Sequence, residues 1–374
     1  MTGQTALEAE LRDMIASEGP ITVARYMALC LVHPKHGYYV TRDPLGSAGD
    51  FTTAPEISQI FGELLGLWAA AVWQSMGRPQ PFTLAELGPG RGTLMVDALR
   101  AGSKVAGFRE ALAVHLVETS PVLRARQQAT LDAGGIQAQW HQTVAELPNG
   151  PLIVVANEFF DALPIHQAIR TDTGWHERVV GLGDAGDLAF AAHPAPLPGM
   201  EFGPQTAQGS VRTAVWEWRD DAILRELCER VVRYGGAILI IDYGHVQSGY
   251  GDTLQAMRAH SFTDSLETPG ECDLTAHVDF AALARSAVGA GARVHGPVTQ
   301  GEFLHSLGIV TRADRLKSGA TRDQCVAIDA AVVRLTGTAP SQMGELFKVV
   351  ALANPDLSTL PGFEAAVPPS ERIV

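Results

Sequence analysis

The chain has 374 residues, a formal net charge of −13, and 46% hydrophobic against 18% charged residues. That is long enough for one large domain or two with a sizeable core, and too apolar for a disordered chain. The acidic balance sets aside nonspecific nucleic-acid binding, which needs a basic surface, and no apolar run approaches the ~20 residues of a membrane span.

Residues 4–32 show helical periodicity through Leu7, Leu11, Met14 and Ile15, then Val23, Met27 and Leu31, with a break at Gly19-Pro20. Glu8, Glu10 and Asp13 leave no basic stretch leading into an apolar one. Neither a secretory signal nor a transit peptide is read there, and the cytoplasm is the expected location. His33-Pro34-Lys35-His36-Gly37-Tyr38-Tyr39 runs into a glycine-rich loop over 43–53, closing an N-terminal helical segment expected over 1–55. Ile57, Ile60, Phe61, Leu64, Leu65, Trp68 and Val72 then mark one face of a long helix, and Thr53-x-x-Glu56 fits a capping box at its start.

Strand and helix now alternate. Strands are expected at 82–87, 113–118, 136–140, 151–156 and 237–242, and helices at 93–101, 120–132 and 219–234. This order predicts an α/β fold built on a doubly wound, Rossmann-like parallel sheet over 56–354. Residues 158–218, rich in Gly, Pro and short alternating runs, are expected to form an inserted β-containing lobe. Late strands are expected at 292–298 and 346–351, the second antiparallel, and the tail 355–374 on the surface. Cys30, Cys228, Cys272 and Cys325 form no CxxC pair, which argues against a zinc or dithiol motif and suits a reducing compartment.

The residue types that carry chemistry cluster at strand ends. Glu86 and Leu87 close a strand that runs into Gly88-Pro89-Gly90-Arg91-Gly92, with a helix starting at Thr93. Glycines there permit positive φ and close approach of a ligand, at the strand end where open α/β sheets bind. The spacing is G-x-G-x-G, not the G-x-G-x-x-G of a dinucleotide site. Glu118 ends the next strand, where a carboxylate can accept from ribose hydroxyls; a solvated strand end is the alternative. Asn157-Glu158-Phe159-Phe160-Asp161 follows the fourth strand. Two acids there suit a cationic substrate, and a planar guanidinium matches fixed carboxylates; helix capping is the alternative. Asp50, Thr53 and Glu56 suit a lid or cofactor contact. Asp242 ends another buried strand, and Asp273 and His277 sit four apart, as on one helix face, with capping by Asp273 or Thr275 as the simpler role. His33 and His36 lack a third ligand nearby in sequence, so no metal is expected.

Taken together, HPKHGYY (33–39), GDFTTAPEISQIFGE (49–63), ELGPGRGTLMVDALR (86–100), HLVETS (115–120), NEFFDALPIHQ (157–167), IDYG (241–244), DLTAHVDF (273–280), TQGEFLHSLGI (299–309) and MGELFKV (343–349) resemble the MidA-like class I S-adenosylmethionine methyltransferases. Members of that family include a mitochondrial complex I assembly factor that methylates an arginine. The resemblance implies S-adenosyl-L-methionine held by Glu86, Gly88, Gly90, Gly92, Thr93, Glu118 and Asn157. It implies a protein substrate such as a complex I subunit, with the guanidinium on Glu158 and Asp161, and Asp242 or His277 as proton acceptor. The composition, with no transit peptide read, looks bacterial. A small-molecule nitrogen or oxygen acceptor and a non-catalytic assembly factor are the alternative functions.

Overall fold

The computed structural model describes residues 4–41, 52–198 and 214–364. Its centre is an eight-stranded sheet. The strands run in the order Arg293–Thr299, Phe347–Ala353, Gly236–His245, Leu152–Asn157, Phe82–Leu87, Leu112–Val117 and Ala138–His141, with Val278–Asp279 added beside Gly236–His245. The pairs from Gly236–His245 through Ala138–His141 are parallel, whereas Phe347–Ala353 runs antiparallel to both its neighbours.

The inner strands are apolar on both faces because both are covered. Ile153, Val155, Leu239 and Ile241 face one core with Phe61, Leu65 and Trp68. Val154, Ala156, Ile238 and Ile240 face the other, against Leu227, Cys228 and Val231 of the helix Ala222–Tyr234. On the first face the helices Gln59–Ser75 and Thr93–Gly102 pack so closely that a Cβ on Gly66 would lie 2.0 Å from the Ala98 carbonyl oxygen. Only glycine allows that approach.

A second sheet holds Ile21–Thr22, Gly174–Leu182, Ile165–Thr171 and Val215–Arg219, with Leu188–Pro196 pairing on Gly174–Leu182. The chain after Asn157 therefore builds the expected β-rich insertion, and the N-terminal segment adds a short strand to it. A third sheet, Ser261–Thr263, Gln255–Arg258 and Asp273–Thr275, lies beside it. Leu7, Leu11, Tyr26 and Met27 share one core with Ile165, Val180 and Leu274, which ties both small sheets to the N-terminal helices.

Several local expectations differ from the structure. The capping box does not form: the Glu56 amide donates to the Thr53 carbonyl at 3.0 Å rather than to its hydroxyl, and the Glu56 carboxylate accepts from the Thr93 hydroxyl at 2.6 Å. The long helix is capped by Ser58 instead. Asp273 to Thr275 is a strand rather than a helix start, and Asp279 caps the helix Phe280–Gly289. Three helices, Gln300–Ser306, Ile309–Lys317 and Arg322–Thr336, fill the connection between the last two strands. Residues 355–364 do not merely wrap the surface: Leu357 and Leu360 are buried in the core, and the Trp68 indole donates to the Pro361 carbonyl.

Candidate active site

The carboxyl ends of the parallel strands open into one cavity of about 810 Å³. Gly88 (φ 58°), Gly90 (φ 54°) and Gly92 (φ 81°) all occupy the left-handed region, so the loop after Phe82–Leu87 is built as only glycine readily permits. Gly88, Gly90 and Thr93 line the cavity. Gly92 is not among the lining residues; a Cβ there would meet Leu131 at 2.8 Å, so it serves the packing of the loop on the helix Pro121–Ala133.

Glu118 lines the cavity at the end of the neighbouring strand. Its carboxylate accepts from the Ser120 amide at 2.8 Å and from Gln127 Nε2 at 2.9 Å. Burial pushes its pKa up, opposed by these hydrogen bonds. Gln127, fully buried, also donates to the Gly90 carbonyl at 2.9 Å, while Trp140 Nε1 donates to its Oε1. One amide thus links the glycine loop to Glu118. Sequence reasoning missed Gln127, and nothing in a polar helix position announced it.

Glu86 Oε2 and Asn157 Oδ1, on two further lining residues, are buried without a hydrogen-bond partner among the described residues. Burial alone pushes Glu86 up to about 8. Orphaned buried acceptors at strand ends fit a ligand that brings its own donors.

The acidic end of the cavity lies against the fourth strand. Glu158 takes φ 50°, a left-handed conformation uncommon for a non-glycine residue. Its Oε1 accepts from the Ala54 amide at 3.1 Å and from Asn157 Nδ2 at 3.0 Å. Burial, then the charge of Asp161, pushes it up to about 7. Asp161 is buried, with its carboxylate accepting from the Tyr243 hydroxyl, and burial raises it also. No helix follows these acids, so neither is a cap.

Asp242 stands elsewhere. It is wholly buried and not among the lining residues. Its Oδ2 accepts from the Phe160 and Asp161 amides at 3.0 and 3.1 Å, and its Oδ1 from the Tyr243 amide at 3.0 Å. It holds the acid loop in place. His277 lines the cavity edge-on to Tyr243, and burial lowers its pKa, favouring the neutral ring. Asp273, which the reading of a helix had misplaced, lines the same end and accepts from the Tyr39 hydroxyl at 2.7 Å. Thr53 and Glu56 line the cavity, and Asp50 lies outside the described residues.

Not among the lining residues, Glu10, His33 and His36 bring their side-chain ligand atoms within 4.8 Å of one another, so Glu10 supplies the third group that the sequence did not place beside the histidines. The Lys35 and His36 amides donate to His33 Nδ1, which leaves the proton on Nε2 facing Glu10 at 3.3 Å. That tautomer makes a hydrogen-bonded trio, the reverse of a histidine that offers Nε2 to a metal. No helix among the described residues is long and apolar enough to cross a membrane.

Comparison with known proteins gives one consistent answer. Residues 64–298 match the family described as "Putative S-adenosyl-L-methionine-dependent methyltransferase". The chain is 40% identical over 376 residues to the mitochondrial protein arginine methyltransferase NDUFAF7 of Mus musculus, covering 93% of this chain and 84% of that one. To the protein of the same name from Homo sapiens it is 38% identical over 377 residues, covering 93% and 83%. A solved COG1565 superfamily structure from Burkholderia thailandensis, bound to S-adenosyl-homocysteine, superposes with a TM-score of 0.79 at 30% identity, covering 97% of this chain and 93% of that one. The animal relatives are mitochondrial proteins by name, which overturns the cytoplasmic location expected from the sequence and gives no support to the bacterial reading of the composition.

Proposed function

Because this chain belongs to the S-adenosyl-L-methionine-dependent methyltransferases, we propose that it transfers the methyl group to an arginine of a protein partner. The observation that carries this reading is the acidic end of the cavity: Glu158 and Asp161 face the same space as Gly88 and Gly90. The related animal proteins are named for arginine methylation, and a complex I subunit is the first candidate partner.

When bound, the cofactor supplies an electrophilic methyl group on a sulfonium, so the protein's task is alignment and charge placement. Gly88, Gly90, Thr93 and Glu118 would hold it, with Glu86 Oε2 and Asn157 Oδ1 accepting from its donors. A guanidinium is protonated at neutral pH and a poor nucleophile. Glu158 and Asp161 orient it and draw its charge away from the attacking nitrogen. His277, neutral and lining the cavity, takes the released proton in this scheme; Asp242, committed to three amides, does not.

The test is incubation with methyl-labelled cofactor and partner proteins, followed by acid hydrolysis and mass spectrometry. Labelled methylarginine is expected. Label confined to small molecules would overturn the protein acceptor, and no transfer with intact cofactor binding would leave a non-catalytic assembly role.

A further inference from the structure

Two separate loops bring the acceptor-side groups to the cavity. One, 158–164, carries Glu158 and Asp161; the other, after the strand Asp273–Thr275, carries His277. Neither is a regular element, so something must fix their separation. Arg219 stands between them, at the end of the strand Val215–Arg219. Its guanidinium donates from Nε to the Leu163 carbonyl at 3.2 Å and from Nη2 to the Asp161 carbonyl at 3.3 Å. On the other side it donates from Nη1 to the His277 carbonyl at 2.8 Å and from Nη2 to the Ala276 carbonyl at 2.6 Å. The Ala276 amide itself donates to the Asp161 carbonyl at 3.0 Å, closing the joint.

The choice of partners is informative. Among the described residues Arg219 makes no ion pair, and its side-chain hydrogen bonds all go to main-chain carbonyls. Burial lowers its pKa, and Asp242, Asp161 and Glu217 oppose that through space without outweighing it. A cation spent on carbonyls fixes backbone rather than neutralising a carboxylate. The planar fork is what permits it: five donors in one plane reach both loops, whereas an ammonium offers three donors from one point.

We propose that Arg219 is a positioning residue that sets the spacing between the acid loop and His277. This rests on the acceptor reading given above. Three of the four carbonyls it binds belong to Asp161, Leu163 and His277, which line the cavity, so a shift of either loop moves the groups that meet the substrate. Misplacement on the scale of 1 Å is enough to cost a reaction that depends on alignment.

The experiment uses the full chain loaded with S-adenosyl-homocysteine, as wild type, Arg219→Lys and Arg219→Gln. Lysine keeps the charge and loses the fork; glutamine keeps two donors and loses the charge. Hydrogen exchange is followed over 158–164, 273–279 and, as internal control, the glycine loop 88–93. Binding of N-acetyl-L-arginine amide is measured against its neutral citrulline counterpart. In both variants exchange over the two loops is expected to rise together, by about tenfold, with the glycine loop unchanged. Arginine-probe affinity falls about tenfold while S-adenosyl-homocysteine affinity holds. Wild-type exchange in either loop, an equal rise in the glycine loop, or unchanged probe binding despite loosened loops would each overturn the role. A lysine variant that behaves as wild type would assign the effect to charge and overturn it too. If wild type does not prefer arginine to citrulline, the acceptor reading fails, while the exchange result still decides whether Arg219 couples the loops.

Discussion

The main-chain amide of Ala54 donates to Glu158 Oε1 at 3.1 Å, joining the segment that precedes the long helix to the acid loop across 104 residues of sequence. Glu158→Gln keeps an oxygen acceptor for that amide, removes the charge and replaces the second carboxylate oxygen with an NH2 donor. Methyl transfer should fall by about 100-fold, since one charge-assisted contact to the substrate is lost and an alignment with it. Calorimetric affinity for S-adenosyl-homocysteine should stay near wild type. Full activity in this variant would sink the role given to Glu158.

The same carboxyl group sets a pH dependence. Glu158 is pushed up to about 7, so below that pH it is protonated in the free enzyme and cannot draw on a guanidinium charge. His277 is shifted the other way, because burial favours its neutral ring. The kcat/KM profile, which reports the free enzyme, should therefore rise with pH and level off above about 7. In Glu158→Gln the residual rate should lose that acid limb. A wild-type profile flat from pH 5.5 to 8 would contradict it, a range chosen to bracket roughly one unit on either side.

Glu86 links burial to stability. Its folded pKa lies at about 8, above the ordinary value of 4.5, because burial disfavours the charge. The stabilising protonated form is fully present at low pH and is lost as pH rises through the folded pKa. Glu86→Gln lacks that slope. The variant should gain on wild type as pH climbs from about 4.5 to about 8, by on the order of a few kcal/mol in the ligand-free protein. Thermal unfolding of both proteins at either end of that window measures it. A difference that does not change with pH would remove Glu86 as the titrating group.

The central sheet was legible because its strands are unbroken apolar runs such as Leu152 to Ala156, and most ended within a residue or two of their expected place, the strand expected to end at Asp242 running on to His245. Acids at strand ends were legible for the same reason. Asp273 was not, since a four-residue spacing to His277 mimics a helix, whereas the chain forms a short strand, Asp273–Thr275, buried at every position. The three helices between the last strands went unread: two are short, Gly308 separates them in the left-handed region, and exposed Val326 and Val333 blur the periodicity of the third. What no pattern of residues could reveal is the partnership of distant groups. Arg219 with four carbonyls and Gln127 with Gly90 and Glu118 exist only once the chain is folded.

Gly66 carries a packing prediction that is independent of chemistry. A Cβ there would meet main-chain atoms of Ala98, the carbonyl oxygen at 2.0 Å, and backbone cannot rotate away as a side chain would. Gly66→Ala should lower stability by roughly 1–3 kcal/mol through forced separation of the two helices. Urea unfolding should show a lower midpoint with the slope unchanged. An unaffected midpoint would mean the helices part freely.

Gln127 offers the sharpest test of the cofactor end. Its amide is held in one orientation by the Trp140 indole, so Nε2 must serve both the Gly90 carbonyl and Glu118 Oε2. Gln127→Leu removes the donor that Glu118 Oε2 and the Gly90 carbonyl share and leaves the Trp140 indole without its acceptor. The cost of an unsatisfied buried group is about 1–3 kcal/mol, and S-adenosyl-homocysteine affinity should weaken by about tenfold or more if the loop relaxes to recover its partners. Gln127→Glu adds a second carboxylate beside Glu118, whose pKa is already raised by burial. Two adjacent acids cannot both ionise at low cost, so this variant should bind worse as pH rises, whereas the leucine variant should not. Equal pH dependence in the two would show that Glu118 is not the group Gln127 serves.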